Sequence, residues 1–340
     1  MYWTERILSN AETRDNGTES LFEGMRAIIG GTTYTFSEGI LRQERLYSEK
    51  QEQTKEAFGF KWKKRDTYES PSVKQACQEW LLKRYFGGES SEIASLLHGR
   101  KNFLDAGCGS GFSSLLLFGD HLASVRYLGV DISNAVDVAK QRFAERGLPA
   151  EFLQADLTNL PFRGPVFDVI FSEGVLHHTN STENAVSYLA GLLRRGGMFL
   201  FYVYNKKGPV REFVDDYVRN HIRSMSDQEA WDALMPLTRL GAALGRLQVE
   251  VDVPEAVPFL GIPKGRIDIQ RLFYWYVMKA YYRPDWTDEE MNHVNFDWYR
   301  PSNCWRQTPE EVTRWCAEAE LRIRKMDVED AGITVVAEKV

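Results

Sequence analysis

Residues 103–112 read Phe103-Leu104-Asp105-Ala106-Gly107-Cys108-Gly109-Ser110-Gly111-Phe112, an apolar run that breaks into three glycines at alternate positions. The pattern predicts a buried strand, a sharp turn and a helix over 113–122. Glycine lets the backbone turn tightly and lets a ligand approach without a Cβ in the way. The helix start offers free N–H groups and a partial positive charge, which suit a carboxylate or phosphate. The dinucleotide fingerprint is G-x-G-x-x-G. Here Gly111 comes one residue early and residue 112 is Phe, so an NAD-dependent oxidoreductase fails on spacing. An ordinary tight turn remains the alternative at this point, and the downstream sequence decides.

A second acid follows at the ribose-binding distance of about 20 residues. Tyr127-Leu128-Gly129-Val130-Asp131-Ile132 is a short apolar run ending in Asp131. Residues 151–157 read as a third strand ending in Asp156. Residues 166–171 read as a fourth, running into Ser172-Glu173-Gly174-Val175-Leu176-His177-His178, and 197–204 read as a fifth. Strands alternating with helical patterns predict a parallel sheet with helices on both faces.

Five phrases in this order, DAGCGSGF (105–112), GVDIS (129–133), QADLTNLPF (154–162), FDVIFSEGVLHHT (167–179) and LLRRGGMFLFYVY (192–204), resemble the class I S-adenosylmethionine (SAM) dependent methyltransferases. The likeness is to the small-molecule group with a type 11 methyltransferase domain. It covers roughly residues 100–205 with a return at the C-terminus. It implies an α/β, Rossmann-like, seven-stranded, mostly parallel sheet whose antiparallel last strand lies between strands five and six.

The resemblance also implies roles. Asp105, Gly107 and Gly109 lie beside the methionine and ribose, and Asp131 accepts the ribose hydroxyls. Ile132 packs on the adenine, Asp156 bonds its amine and Leu157 covers the ring. Ser172 and Glu173 face the sulfonium, and Asp168 is structural. SAM carries an already activated methyl, so in-line placement of a nucleophile and exclusion of water supply most of the catalysis. A base helps an alcohol or ammonium acceptor and is dispensable for a thiolate. Glu173, His177 and His178 are the catalytic candidates, since an imidazole titrates near neutrality. Tyr202, Tyr204, Asn205, Arg211, His293, Asn295, Trp298, Tyr299 and Arg306 are expected to line the acceptor pocket. Arginines there suit a carboxylate or phosphate on the acceptor.

The chain divides into four stretches: an N-terminal extension and cap (1–88), the SAM-binding core (89–205), an insertion covering the substrate (206–300) and a C-terminal return to the sheet (301–340). Residues 1–40 are polar, with a weak strand signal at 32–36. Residues 34–40 resemble the last strand of the zinc ribbon many relatives carry, but its cysteines are missing, so no metal is carried over. Residues 41–57 read as a charged helical or mobile stretch. Phe58, Trp62 and Tyr68 read either as a lid on SAM or as an anchor of the N-terminal segment. The helix over 70–87 is amphipathic, with Val73, Ala76, Trp80, Leu81 and Tyr85 near one face. The insertion shows two or three helical patterns, a turn-rich proline run and a dense aromatic group.

Composition is that of an ordinary globular chain, 43% hydrophobic and 26% charged over 340 residues, with a net charge of −6. The short basic run 61–65 reads as a solvated loop, so no nucleic-acid partner is expected. No apolar stretch approaches the ~20 residues of a membrane span, no signal-peptide core is visible, and the four cysteines form no C-x-x-C pair. The expectation is a cytoplasmic enzyme with a small-molecule methyl acceptor (O, N or S), no metal and no membrane partner, of oligomeric state unknown. Methylation of tRNA or protein, and a non-catalytic SAM-binding protein, are the alternatives.

Overall fold

The computed structural model describes residues 2–14 and 21–340; the part of the N-terminal reading that falls on 15–20 lies outside them. The chain opens with helix α1 (Tyr2–Leu8) and strands β1 (Thr13–Arg14), β2 (Arg26–Ile29), β3 (Thr32–Ser37) and β4 (Ile40–Glu44). Helices α2 (Glu49–Lys63), α3 (Pro71–Phe86) and α4 (Ser91–Leu97) follow. The core then alternates: β5 (Asn102–Ala106), α5 (Phe112–Leu117), β6 (Arg126–Asp131), α6 (Ala135–Glu145), β7 (Glu151–Gln154), β8 (Phe167–Glu173), α7 (Thr182–Gly191) and β9 (Leu193–Tyr204). Next come α8 (Pro209–His221), α9 (Asp227–Arg246), the hairpin β10 (Glu250–Val253) and β11 (Gly265–Asp268), α10 (Ile269–Tyr276) and α11 (Asp288–Tyr299). The chain closes with α12 (Pro309–Glu318), β12 (Leu321–Val328) and β13 (Gly332–Lys339).

Among the described residues, eleven strands form one sheet in the order β1-β2-β3-β4-β7-β6-β5-β8-β9-β13-β12. The seven from β7 to β12 are the predicted core. Chain order runs outward from β5 to β7 on one side and from β8 to β9 on the other. The strands from β4 through β9 pair in parallel, and β13 enters antiparallel between β9 and β12. The reversal of chain order between β5 and β8 opens a crevice at the carboxyl ends of the strands, where open α/β sheets bind ligands.

Two hydrophobic layers hold the sheet. On one face Trp3, α7 (Ala185, Val186, Leu189) and α12 (Val312, Trp315, Cys316) pack on Leu104, Leu128 and Phe199. On the other, α3 to α6 pack on Phe103, Tyr127, Phe171 and Leu200. Helix starts follow local chemistry. Thr308 and Glu311 form a capping box at the start of α12, and Ser226–Glu229 and Thr287–Glu290 repeat it on α9 and α11.

The structure corrects several expectations. The first 44 residues add β1–β4 to the sheet, with Leu41 beside Leu153. Their short strands and tight turns left little periodicity to read. Residues 41–57 split into the end of β4 and the start of α2, which Ser48 caps. The helix after the glycine turn ends at Leu117 and gives way to a tighter turn over 119–124. The fifth strand, read over 197–204, starts earlier, at Leu193. Trp80 is 46% exposed and lines the crevice. The insertion holds four helices. No helix among the described residues is long and apolar enough to cross a membrane.

Trp3 ties the extension to the core. Its indole N–H donates to the Arg126 carbonyl at 3.0 Å, its ring packs on Phe162 and Phe167, and it is 1% exposed. Trp3→Ala is expected to lower folding stability by ~3–5 kcal/mol, the usual cost of emptying a buried aromatic site. Urea denaturation measures it, and an unchanged midpoint would show the extension to be independent of the sheet.

Candidate active site

The turn after β5 is built around two glycines. Gly107 and Gly109 have φ of +86° and +50°, a region that disfavours a side chain. A Cβ at Gly107 would lie 2.2 Å from Val175 Cγ1, and one at Gly109 would lie 2.6 Å from Trp62 Nε1. Asp131, at the end of β6, fixes the turn. Its Oδ2 accepts the Gly109 N–H at 2.9 Å, and its Oδ1 accepts the Ser133 N–H at 2.8 Å and hydroxyl at 2.7 Å.

Asp105 lies behind the turn, outside the cavity lining, which departs from its expected place beside the ligand. It accepts the Ser114 and Tyr127 hydroxyls, both at 2.5 Å. Burial pushes its carboxyl up to about 6, against the pull of those two bonds. Ser172 is likewise internal, donating to the Ala106 carbonyl at 2.7 Å and so joining β8 to β5.

A cavity of about 500 Å³ occupies the crevice under a roof from α2, α3, α10 and α11. Trp62, Gly107, Asp131, Ile132, Asp156 and Leu157 line one end. Gly109 sits just behind, beneath the Trp62 indole. This end fits SAM: a carboxylate for hydroxyls, flanking Ile132 and Leu157 for an aromatic base, and a turn without side chains. Asp156 is partly engaged already. Its Oδ1 accepts the Thr158 N–H and hydroxyl at 2.8 and 2.7 Å, and its Oδ2 lies 3.2 Å from Arg45. Of the three lid candidates, Phe58 and Trp62 line the cavity. Tyr68 is a buried anchor whose hydroxyl donates to the Trp62 carbonyl at 2.8 Å.

The middle of the cavity holds Glu173, His178, Tyr204 and Asp297. Glu173 is no free base: one oxygen pairs with Arg84 and the other accepts the Tyr85 hydroxyl. Burial raises its carboxyl, with Arg84 and Tyr85 opposing. The Arg84 guanidinium stacks 3.6 Å from the ring centroids of both Trp80 and Tyr202. His177 points away from the cavity and packs under Tyr204, ring centroids 3.7 Å apart. Burial holds its imidazole well below the ordinary range, and it lies outside the cavity lining, away from the place expected of a catalytic base. His178 does line the cavity. Its Nδ1 lies 2.6 Å from the Asn303 carbonyl, which assigns the proton to Nδ1 and leaves Nε2 as the acceptor. Burial lowers its pKa to about 4 although Asp297 pulls upward.

At the far end, beyond Tyr204, the wall is lined by Tyr202, Arg211 and Trp298. His293 lines the opposite end beside Trp62, with Nδ1 2.8 Å from the Thr67 hydroxyl. Four expected acceptor residues lie outside the lining. Asn205 donates to the Glu329 carbonyl at 3.0 Å. Asn295 is buried between the Tyr281 N–H at 2.9 Å and the Thr238 hydroxyl at 2.8 Å. Tyr299 donates to Asp215 at 2.7 Å. Arg306 is held by Glu212 at 2.6 Å and Asp216 at 2.9 Å. Arg211 is also spoken for, paired with Asp215 at 2.9 Å.

Sequence reasoning missed Lys61, Asp297, Lys207 and Lys279, all of which line the cavity. Lys61 belongs to the basic run read as a solvated loop, yet it is 4% exposed and pairs with Asp297. The signal was there: Phe58, Lys61 and Trp62 share a helical face, as do His293 and Asp297. Burial pushes the Asp297 carboxyl up, but Lys61, His178 and Lys279 outweigh it and hold it well below the usual carboxylate range. The Tyr204 hydroxyl donates to its other oxygen at 2.8 Å.

A turn that seats a ligand on β5, an acid closing β6 and a covered cavity at the switch point define a nucleotide-cofactor enzyme core. A family model described as a methyltransferase domain matches residues 104–201. The chain carries a class I methyltransferase domain with SAM as its cofactor. Over 108 residues it is 40% identical to the tRNA U34 carboxymethyltransferase of Hydrogenovibrio crunogenus, covering 30% of this chain and 32% of that protein. Over 145 residues it is 32% identical to the uncharacterized methyltransferase YcgJ of Bacillus subtilis, covering 40% of this chain and 56% of that one. The chain therefore spans about a third of the first relative and just over half of the second. Among solved structures, magnesium protoporphyrin IX methyltransferase from Synechocystis PCC 6803 with bound SAH aligns at 15% identity, over 86% of this chain and 100% of that one, with a TM-score of 0.43.

Asp131→Ala is expected to weaken binding of S-adenosylhomocysteine by ~1–3 kcal/mol, the cost of losing charge-assisted hydrogen bonds; isothermal titration measures it, and unchanged affinity would misplace the ribose end. A second expectation concerns acid. His178 and His293 are neutral in the fold, with pKa values lowered by burial to about 4 and about 3, against ~6.5 when unfolded. The unfolded chain then binds more protons below pH 6.5, so their contribution to stability is complete above that pH and is lost as pH falls toward 4. His293→Gln should therefore lose less stability than the parent between pH 7 and 4, read from denaturation midpoints; parallel curves would refute it.

Proposed function

We propose that this protein transfers the methyl group of SAM to a small-molecule acceptor enclosed in the cavity. The observation that carries the reading is enclosure. The acceptor side is walled by Tyr202, Tyr204, Tyr274, Trp275, Tyr281, Trp286 and Trp298 and roofed by α10 and α11, dimensions suited to a compact molecule. When bound, SAM supplies an activated methyl group. The residues of this chain supply position, dryness and proton management. The aromatic walls orient the acceptor and exclude water. The neutral imidazole of His178, its tautomer set by the Asn303 carbonyl, accepts a hydrogen bond from an acceptor O–H or N–H. The Lys61–Asp297–Tyr204 chain fixes the charge beside it.

A tRNA acceptor is the second reading, favoured by the names of relatives such as the H. crunogenus enzyme. The family match ends at residue 201, before α8–α11. Incubation of the protein and methyl-labelled SAM with a fractionated cell extract separates the two. Label is expected in the small-molecule fraction and is expected to survive ribonuclease. Label confined to tRNA would overturn the proposal. His178→Ala should lower kcat about 10²–10⁴-fold for a proton-bearing acceptor while leaving S-adenosylhomocysteine affinity within twofold.

A further inference from the structure

The ionic groups lining the cavity pair off unevenly. Asp156 faces Arg45, Glu173 faces Arg84, Asp297 faces Lys61, Arg211 faces Asp215 and Arg283 faces Asp285. The two arginines first expected to meet an anionic acceptor, Arg211 and Arg306, are both held by carboxylates of α8. Lys207, Lys279 and the exposed Arg271 remain, with no carboxylate in ion-pair contact among the described residues; Arg271 lies over the Tyr274 ring, away from the two lysines' shared ring. Lys207 follows β9, and its ammonium donates to the backbone carbonyls of Asp330 and Ala331. Lys279 follows α10, is 8% exposed, and its ammonium makes no hydrogen bond among the described residues. Both ammonium groups lie over one ring, that of Trp298, at 5.6 and 4.9 Å from its centroid. A buried cation without a counter-charge is costly, and two sharing a cavity wall invite an anion from outside.

We infer that Lys207 and Lys279, above the Trp298 ring, seat an anionic group of the acceptor, a carboxylate or a phosphate. The inference takes the word acceptor from the proposed methyl transfer; the anion seat itself stands on these contacts. The surroundings support it. Burial lowers Lys207 to about 7 and Lys279 to about 8, with Arg211 and the other lysine adding to the effect on Lys207, and Asp297 and Asp215 opposing that on Lys279. The charged and titratable groups facing the pair are Arg211, Glu212 and Asp215 of α8, Asp297 of α11, Cys304 in the segment after α11, and His177 after β8. An arriving anion favours the charged lysines, so binding near neutrality takes up protons. Affinity should then decline as pH rises from 7 to 9, where the free lysines are increasingly neutral.

The test uses the full chain saturated with S-adenosylhomocysteine and titrated calorimetrically with benzoate, phenyl phosphate and the neutral analogue benzamide. At least one anion should bind tenfold or more tightly than benzamide, with proton uptake visible as a buffer-dependent enthalpy. Lys207→Met and Lys279→Met should each reduce that binding fivefold or more, while Lys279→Arg retains it. The relative strength of the two anions assigns carboxylate or phosphate. Equal binding of benzamide and both anions, or methionine variants that bind the anion as the parent does, would overturn the inference. Because S-adenosylhomocysteine binding is measured separately, loss of the cofactor site with retained anion binding would sink the methyl-transfer reading and leave the seat in place.

Discussion

The hydrogen bond from the Gly109 N–H to Asp131 is the constraint on which the site depends. It ties the turn after β5 to the end of β6, across the first strand pair of the core. Because both Asp131 oxygens are occupied within the turn region, the carboxylate is held at the cavity wall without a mobile partner. The same bond sets the height of Gly109, and Gly109 in turn carries the Trp62 indole. Helix α2 therefore rests on the turn, and α11 rests on α2 through Lys61 and Asp297. The roof is stacked on a backbone position that tolerates no side chain.

Much of this was legible in the chain. The core strands end in residues whose alternation and spacing are hard to misread: Asp131 closes an apolar run, and SEGVLHH follows another. The return of β13 between β9 and β12 also came through, by resemblance. The N-terminal strands did not, because runs of two to six residues carry too few alternations to stand out. Arg211 and Arg306 were misjudged for different reasons. Asp215 lies one turn from Arg211 on α8 and neutralises it before any ligand does, whereas Arg306 meets Glu212 and Asp216 of that helix only across the fold, a pairing no local spacing announces. The lysines were hidden by the opposite habit of reading them as solvated. A lysine three residues from Phe58 and adjacent to Trp62, or set among the aromatics of α10, shares the fate of its neighbours and is buried.

Net charge proved a poor guide to local charge. The chain carries a formal −6, yet the acceptor side of its cavity is rich in cations. An acidic exterior and a basic interior are compatible because salt screens exposed charges over ~10 Å while enclosed ones keep their reach.

Helix α2 has one more consequence. It presents Gln51, Thr54, Phe58, Lys61 and Trp62 to the cavity, so one rigid element covers both the cofactor and the acceptor sides. It is latched to the end of α11 through Gln53, which donates to the Arg300 carbonyl at 3.0 Å and accepts the Ser302 N–H at 2.7 Å. Under the proposed methyl transfer, the cofactor and the acceptor lie beneath this one helix, so a single substitution on it reaches both sides of the cavity. The contacts that hold this cover in place, Gln53 with Arg300 and Ser302, lie outside the cavity lining, so the cover is fixed by residues that take no part in the site.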